Sequence, residues 1–258
     1  MYQSSITPEE IEKLGLAAFE GKIYVIDHPG PELDHAVQYL RRQKIIGFDT
    51  ESRPSFSPGQ PSYGVSLLQL SGPNEAFLFR IKLLGMDDRL CAILADSRIA
   101  KVGAAVNDDI RGLQRHKEFK AENFIDLQKI VWEYGIKDKS VKKMSAIILG
   151  VRISKTQQLS NWEADTLSES QQLYAATDAW ICRKMYNKLM KSEKNPLSYE
   201  EMHPEQAARQ AKEQTAEKNT AKKESGSKRR RRRNHKKKYY KRKRSKNKSD
   251  VKDNTEKR

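Results

Sequence analysis

Apolar positions recur along the first 190 residues in two rhythms, and each rhythm predicts a different kind of element. Ile23-Tyr24-Val25-Ile26 is a short continuous apolar run and predicts a strand. After Pro31, residues Leu33, Ala36, Val37 and Leu40 fall on one stripe at helical spacing, with the proline at the start of the helix. Ahead of both, Thr7-Pro8-Glu9-Glu10 reads as an N-cap, a proline at the first helical position and an acidic first turn. This predicts a short helix to about Phe19. Ile45-Ile46-Gly47-Phe48-Asp49-Thr50-Glu51 is an apolar run that ends in acids, and Pro54, Pro58, Gly59 and Pro61 break the chain after it. Residues 64–70 and 76–80 predict two further strands, joined by Ser71-Gly72-Pro73-Asn74. Three strands in succession with short links predict antiparallel neighbours.

The rhythm then changes to alternating helix and strand. Residues 86–95, 107–116, 141–149 and 169–190 carry helical patterns, and residues 100–104 and 124–126 read as short strands, the second leading into a helix through Trp132. Such an order predicts an α/β fold, a mixed sheet with helices packed on its faces. No internal repeat is visible. Beyond about Lys194 the apolar periodicity stops. The expected organisation is one folded domain over 1–195, including a short N-terminal extension, and a disordered tail rich in lysine and arginine over 196–258.

Charge sharpens that division. Residues 205–258 hold 23 Lys or Arg against 7 Asp or Glu, whereas residues 1–204 hold 27 of each, so the whole formal excess of +16 sits in the tail. The two cysteines, Cys91 and Cys182, are far apart and form neither a disulfide framework nor a zinc signature. The N-terminus lacks the basic start and apolar run of a secretory signal, and no apolar stretch reaches membrane-spanning length. The expected location is cytoplasmic, with a nuclear one open only for a eukaryotic source, and no membrane partner is expected.

Three acidic segments carry candidate chemistry. On a strand, Asp49 and Glu51 share a face, and two like charges on a partly buried surface either keep a proton or hold a cation. Taken alone, the pair also reads as an exposed strand end. Tyr174 and Asp178 lie four apart on a helix and so on one face, a spacing equally compatible with a packed tyrosine and an edge aspartate. In Lys101-Val102-Gly103-Ala104-Ala105-Val106-Asn107-Asp108-Asp109, a short strand runs into a helix that begins near two acids. Asp108 or Asn107 is expected to cap it, leaving Asp109 for a metal. Four acids converging from separate elements would make an oxygen-rich site of the kind that hard divalent cations take.

Together these segments resemble the three exonuclease motifs of the DEDD superfamily: FDTE at 48–51, VGAAVNDDIRGL at 102–113 and YAATD at 174–178. Tyrosine four residues before the last aspartate marks the DEDDy branch; the DEDDh branch carries histidine five residues before it, where this chain has Leu173. The stretch LSNWEADTLSESQQLYAATDAW, residues 159–180, is similar to the ribonuclease D and Werner-type exonuclease family. The resemblance covers about residues 20–190. It implies a ribonuclease-H-like fold, a two-metal-ion mechanism with Mg2+ or Mn2+, and release of nucleoside 5′-monophosphates from a 3′ end. It further implies that Asp49 bridges both ions, Glu51 and Asp178 hold the one carrying the attacking water, Asp109 serves the other, and Tyr174 orients the water. Ribonuclease D continues into helical nucleic-acid-binding domains, and residues 191–258 are too polar to form one.

The expected partner is nucleic acid with a 3′ end, RNA or DNA. Ser160-Asn161-Trp162 lies before the last motif, and Trp162 reads either as a base-stacking residue or as a core tryptophan. Lys101, Arg53 and Arg111 are candidates for phosphate contact, with ordinary surface charge the stronger reading for each. In the tail, Arg230 and Lys237 stand for the basic run expected to hold the phosphate backbone, and Tyr239 and Tyr240 can stack on unpaired bases. No GxxxxGK[ST] motor motif, histidine ligand spacing or Ser/Cys nucleophile set is present. The competing reading is a catalytically silent nucleic-acid-binding protein on a nuclease fold; all four acids and the tyrosine are retained.

Overall fold

The computed structural model of the protein describes residues 1–54 and 64–202. Among the described residues, strands β1 (Lys22–Ile26), β2 (Ile45–Ser52), β3 (Val65–Ser71), β4 (Glu75–Arg80), β5 (Ala100–Gly103) and β6 (Phe124–Asp126) form one sheet in the order β1-β4-β3-β2-β5-β6. β3 runs antiparallel to both its neighbours, β2 and β4, and the remaining pairs are parallel. The three-residue link 72–74 imposes the hairpin of β3 and β4, whereas twelve residues, 53–64, separate β2 from β3; the parallel neighbours β5 and β6 are joined through a helix over 106–114.

Helices α1 (Pro8–Glu12), α2 (Pro31–Arg41), α3 (Ile81–Leu84), α4 (Asp88–Leu94), α5 (Val106–Gln114), α6 (Leu127–Ile130), α7 (Val141–Leu149) and α8 (Glu169–Leu189) surround the sheet, and a 3-10 turn (Val131–Tyr134) follows α6. One sheet face carries Ile46, Phe48, Leu68 and Phe77, which pack against Leu33 and Leu40 of α2, Leu90 of α4 and Leu113 of α5. The opposite face carries Val102, packed with Met144 and Ile148 of α7 and with Ile181 and Met185 of α8. On the same face, Leu67 and Leu78 pack with Trp162, Tyr174 and Ala175. Met1–Leu197 forms one compact unit. Ser198–Arg258 groups separately, and within it the described part is α9 (Tyr199–Met202).

Helix α1 starts as its sequence dictates. Thr7 and Glu10 close a reciprocal capping box, with the Thr7 N–H donating to Glu10 Oε2 at 2.8 Å. It stops at Glu12 rather than near Phe19, because the chain from Gly15 onward pairs with residue 152 instead. The Arg152 N–H donates to the Gly15 carbonyl at 3.0 Å, and the Ala17 N–H donates to the Arg152 carbonyl at 2.8 Å. Helix α8 crosses the sheet at β2, where both surfaces are small. A Cβ on Gly47 would lie 1.9 Å from the Ala179 carbonyl oxygen, so only glycine lets the helix backbone reach the strand. Ala175, Ala176 and Ala179 are fully buried along the facing side of the helix.

Candidate active site

Alternation along β2 places Gly47, Asp49 and Glu51 on the face covered by α8, and Phe48 and Thr50 on the other. The close crossing at Gly47 brings Asp178 of α8 over the two strand acids. One carboxylate oxygen from each of Asp49, Glu51 and Asp178 lies within 4.8 Å of the others. Tyr174, one helical turn before Asp178, packs against Trp162 with ring centroids 5.9 Å apart.

Burial and mutual repulsion dominate the electrostatics. Loss of hydration, then the Asp178 and Asp109 charges, holds the Asp49 carboxyl well above its ordinary range. Burial, followed by the neighbouring carboxylates, pushes Glu51 up to about 10. Asp178 is raised to about 6 by burial, against an interaction with the Tyr174 hydroxyl and the Lys155 charge that favours its ionised form. Burial and the Asp178 and Glu51 charges raise the Tyr174 phenol as well. Such a group of acids keeps protons at neutral pH unless a cation replaces them.

Asp109 stands apart from the other three acids. Its Oδ1 accepts a 2.6 Å hydrogen bond from Thr50 Oγ1, and its charge still acts on Asp49 and Glu51. The expected cap of α5 is also corrected. The helix begins one residue earlier, at Val106, after Ala105 in a left-handed conformation with φ 59°, so Asn107 and Asp108 fall inside the first turn. Asp108 pairs with Arg111 instead. The carboxylate serving this helix start is Asp126, whose Oδ1 accepts from the Ala105 N–H at 3.0 Å and from the Gln128 N–H at 3.0 Å.

Several expected contact residues are placed elsewhere. Trp162 is 1% exposed within the cluster of Leu67, Leu78 and Tyr174, so the core reading holds and its ring offers no stacking surface. Asn161 is exposed; its Oδ1 accepts from the Glu163 N–H at 3.1 Å and its carbonyl from Gln171 Nε2 at 3.2 Å. Lys101 is not a surface charge at all. It is fully buried, its Nζ donates to the Asp96 and Ile99 carbonyls at 2.8 Å each, and burial lowers it to about 8. Arg53 lies 3.8 Å from Glu163. Arg230, Lys237, Tyr239 and Tyr240 lie outside the described residues.

Sequence reading missed Thr50, Asp126 and Gln69. Gln69 is the cross-strand partner of Asp49, is 1% exposed, and has no hydrogen-bond partner on either side-chain polar atom. Its register opposite Asp49 becomes visible only once the pairing of β2 with β3 is known.

Residues 28–193 match the family model described as 3′–5′ exonuclease. The chain belongs to the 3′–5′ exonuclease domain family. Among relatives within that family, the mouse (Mus musculus) bifunctional 3′–5′ exonuclease/ATP-dependent helicase WRN is 31% identical over 152 residues, spanning 56% of this chain and 11% of the relative. Ribonuclease D of Gluconacetobacter diazotrophicus is 28% identical over 163 residues, spanning 62% of this chain and 40% of the relative. The chain therefore matches less than half the length of either. Escherichia coli RNase D superimposes with a TM-score of 0.59 at 24% identity, covering 66% of this chain and 44% of that one. The Aedes aegypti Nibbler EXO domain does so with a TM-score of 0.58 at 22% identity, covering 68% of this chain and 91% of that one. The six-stranded mixed sheet flanked by helices is thus the fold of the RNase D exonucleases.

Proposed function

We propose that this protein is a 3′–5′ exonuclease of the DEDDy type, hydrolysing phosphodiester bonds at nucleic-acid 3′ ends with two divalent cations, Mg2+ or Mn2+, and releasing nucleoside 5′-monophosphates. The observation that carries the reading is the convergence of Asp49, Glu51 and Asp178 within 4.8 Å. Family membership of residues 28–193 supports the same chemistry. The donor set fits hard cations: it is all oxygen, half-buried, and close enough that its own charges oppose ionisation. Bound there, such cations supply an activated water and neutralise the charge that develops on the departing 3′-oxygen.

The protein's own groups hold and orient. Asp49, Glu51 and Asp178 lie mutually close, and Asp109 joins through its hydrogen bond with Thr50. Tyr174 keeps its proton, because burial and the adjacent carboxylates oppose the phenolate. Its hydroxyl therefore positions the attacking water and does not serve as an anionic base. Leu67, Leu78 and Trp162 fix the ring by packing. The basic run after residue 205 would hold the phosphate backbone without reading sequence.

The test is a time course on 5′-labelled single-stranded RNA and matched DNA with Mg2+, Mn2+ or EDTA. A ladder shortening from the 3′ end, absent in EDTA, is the expected result, and the faster strand names the substrate class. Binding of both strands with no ladder under either metal would replace this reading with that of a silent binding protein.

A further inference from the structure

We infer that a cavity of about 220 Å³ beside Tyr174 is a subsite for one nucleobase of the strand whose 3′ end enters the acid cluster. The inference rests on the exonuclease reading and adds to it a binding element that the acids do not supply. It is lined by Leu16, Ala17 and Ala18 of the N-terminal segment and by Leu173 and Tyr174 of α8. Its space is below the roughly 300–1,000 Å³ of a pocket for a drug-sized ligand, which suits one flat ring better than a whole nucleotide.

Four observations point to a base. First, Leu16 is 57% exposed and Leu173 39% exposed, so two apolar side chains face solvent at the mouth of an apolar cavity. Second, the lining includes Ser154, Thr156 and Ser170, which bring hydroxyls to it. Hydroxyls donate or accept by rotation, so they meet the polar edge of any base without choosing among them. Third, Tyr174 is shared: it lines the cavity while its hydroxyl interacts with Asp178, so a base seated here lies next to the phosphate held at the acids. Fourth, Lys155, between Ser154 and Thr156 in sequence, is exposed and its charge reaches Asp178, which leaves a cation beside the path of the backbone.

The wall formed by residues 16–18 precedes the stretch that matches the family, residues 28–193. It is nevertheless built into the domain. The Phe19 N–H donates to Thr177 Oγ1 at 3.0 Å, Ala17 is bonded to residue 152, and Phe19 packs with Ala76 and Ala176. Thr177 itself lines the cavity, so the added segment and the catalytic helix form a single surface.

The test uses the full chain and 5′-labelled strands of the preferred polymer that are intact or abasic at the last or next-to-last nucleotide, in buffer of about 0.3 M salt to suppress backbone binding. For the wild-type protein, removing the base at one of these positions raises KM roughly fivefold to tenfold, the scale of one base–side-chain contact. Ala17→Leu, which fills the cavity, brings the intact-to-abasic ratio to about one. Leu173→Ala, which opens its wall and carries little risk to folding at an exposed site, lowers the same ratio. A folded Ala17→Leu protein that keeps the wild-type ratio, or that weakens intact and abasic strands equally, overturns the inference. If the wild-type protein cuts neither strand, the exonuclease reading has failed. The same ratio measured by fluorescence anisotropy in EDTA then decides the subsite independently.

Discussion

The Thr50 hydroxyl donates a 2.6 Å hydrogen bond to Asp109, tying the one acid outside the tight group to the residue between the two acids on β2. Strand alternation makes this geometry: side chains 49 and 51 face α8 while side chain 50 faces α5. Thr50→Val removes the donor and leaves a partly buried carboxylate short of a partner, so stability falls by about 1–3 kcal/mol. Thr50→Ser keeps the donor and loses much less. Urea denaturation of the two variants checks this; equal losses would show that the methyl group, not the hydrogen bond, matters.

Gly47 and Ala179 set the approach of α8 to β2, and with it the distance from Asp178 to Asp49. A methyl group at Gly47 meets the Ala179 carbonyl oxygen at 1.9 Å, so Gly47→Ala must push the helix away. The expected costs are about 1–3 kcal/mol of stability from overpacking and roughly a hundredfold in cleavage rate from displacement of the acids. Thermal unfolding and single-turnover cleavage measured together check both effects. Full activity in a folded Gly47→Ala protein would mean that the acid geometry does not depend on this crossing.

Protons and cations compete for the acids, which ties stability to pH. Asp178 and Glu51 are raised from their ordinary values of 3.8 and 4.5 to about 6 and about 10 in the cation-free fold. The folded state therefore keeps protons that the unfolded chain releases, and stability falls as pH rises, across about 4–6 for Asp178 and on through neutrality for Glu51. Without divalent cations the melting temperature should drop from pH 5.5 to pH 8. Mg2+ or Mn2+ should raise it, and more at pH 8 than at pH 5.5. Melts in EDTA and in each cation at both pH values test this, and a cation effect that shrinks as pH rises would contradict it.

The tail prediction concerns salt. A chain ending at Met202 lacks the basic run and should bind single strands with a shallower dependence of log K on log salt, the slope losing about 0.7 for each phosphate contact removed. Fluorescence anisotropy of a labelled oligonucleotide at several salt concentrations reads it. Identical slopes for the full and shortened chains would remove the tail from the binding account.

Much of the site was legible because period-two and period-four spacing transfers directly into shared faces. Asp49 with Glu51, and Tyr174 with Asp178, needed only the correct element type. The three central strands and the two long helices followed from apolar periodicity in the same way. What escaped depended on contacts between elements. Gln69 is opposite Asp49 through register, Asp126 supports the start of α5 from a neighbouring strand, and Lys101 finds its carbonyl partners only inside the folded core. The end of α1 was misjudged for the same reason: residues 15–17 gain more by pairing with Arg152 than by extending a short helix. Trp162 carried two readings because a tryptophan before a catalytic helix serves either role equally well on sequence alone.

Asp49 is the centre of the account, since it lies close to Glu51 and Asp178 and its carboxyl feels the Asp109 charge as well. The most direct measurement compares wild-type and Asp49→Ala proteins on a 5′-labelled single strand under single-turnover conditions with Mg2+ or Mn2+, alongside anisotropy binding of the same strand. The account predicts a loss of at least about a thousandfold in cleavage, about 4 kcal/mol of transition-state stabilisation, with binding by the full chain retained. Cleavage by Asp49→Ala at the wild-type rate would contradict it and move the active site away from the acid cluster.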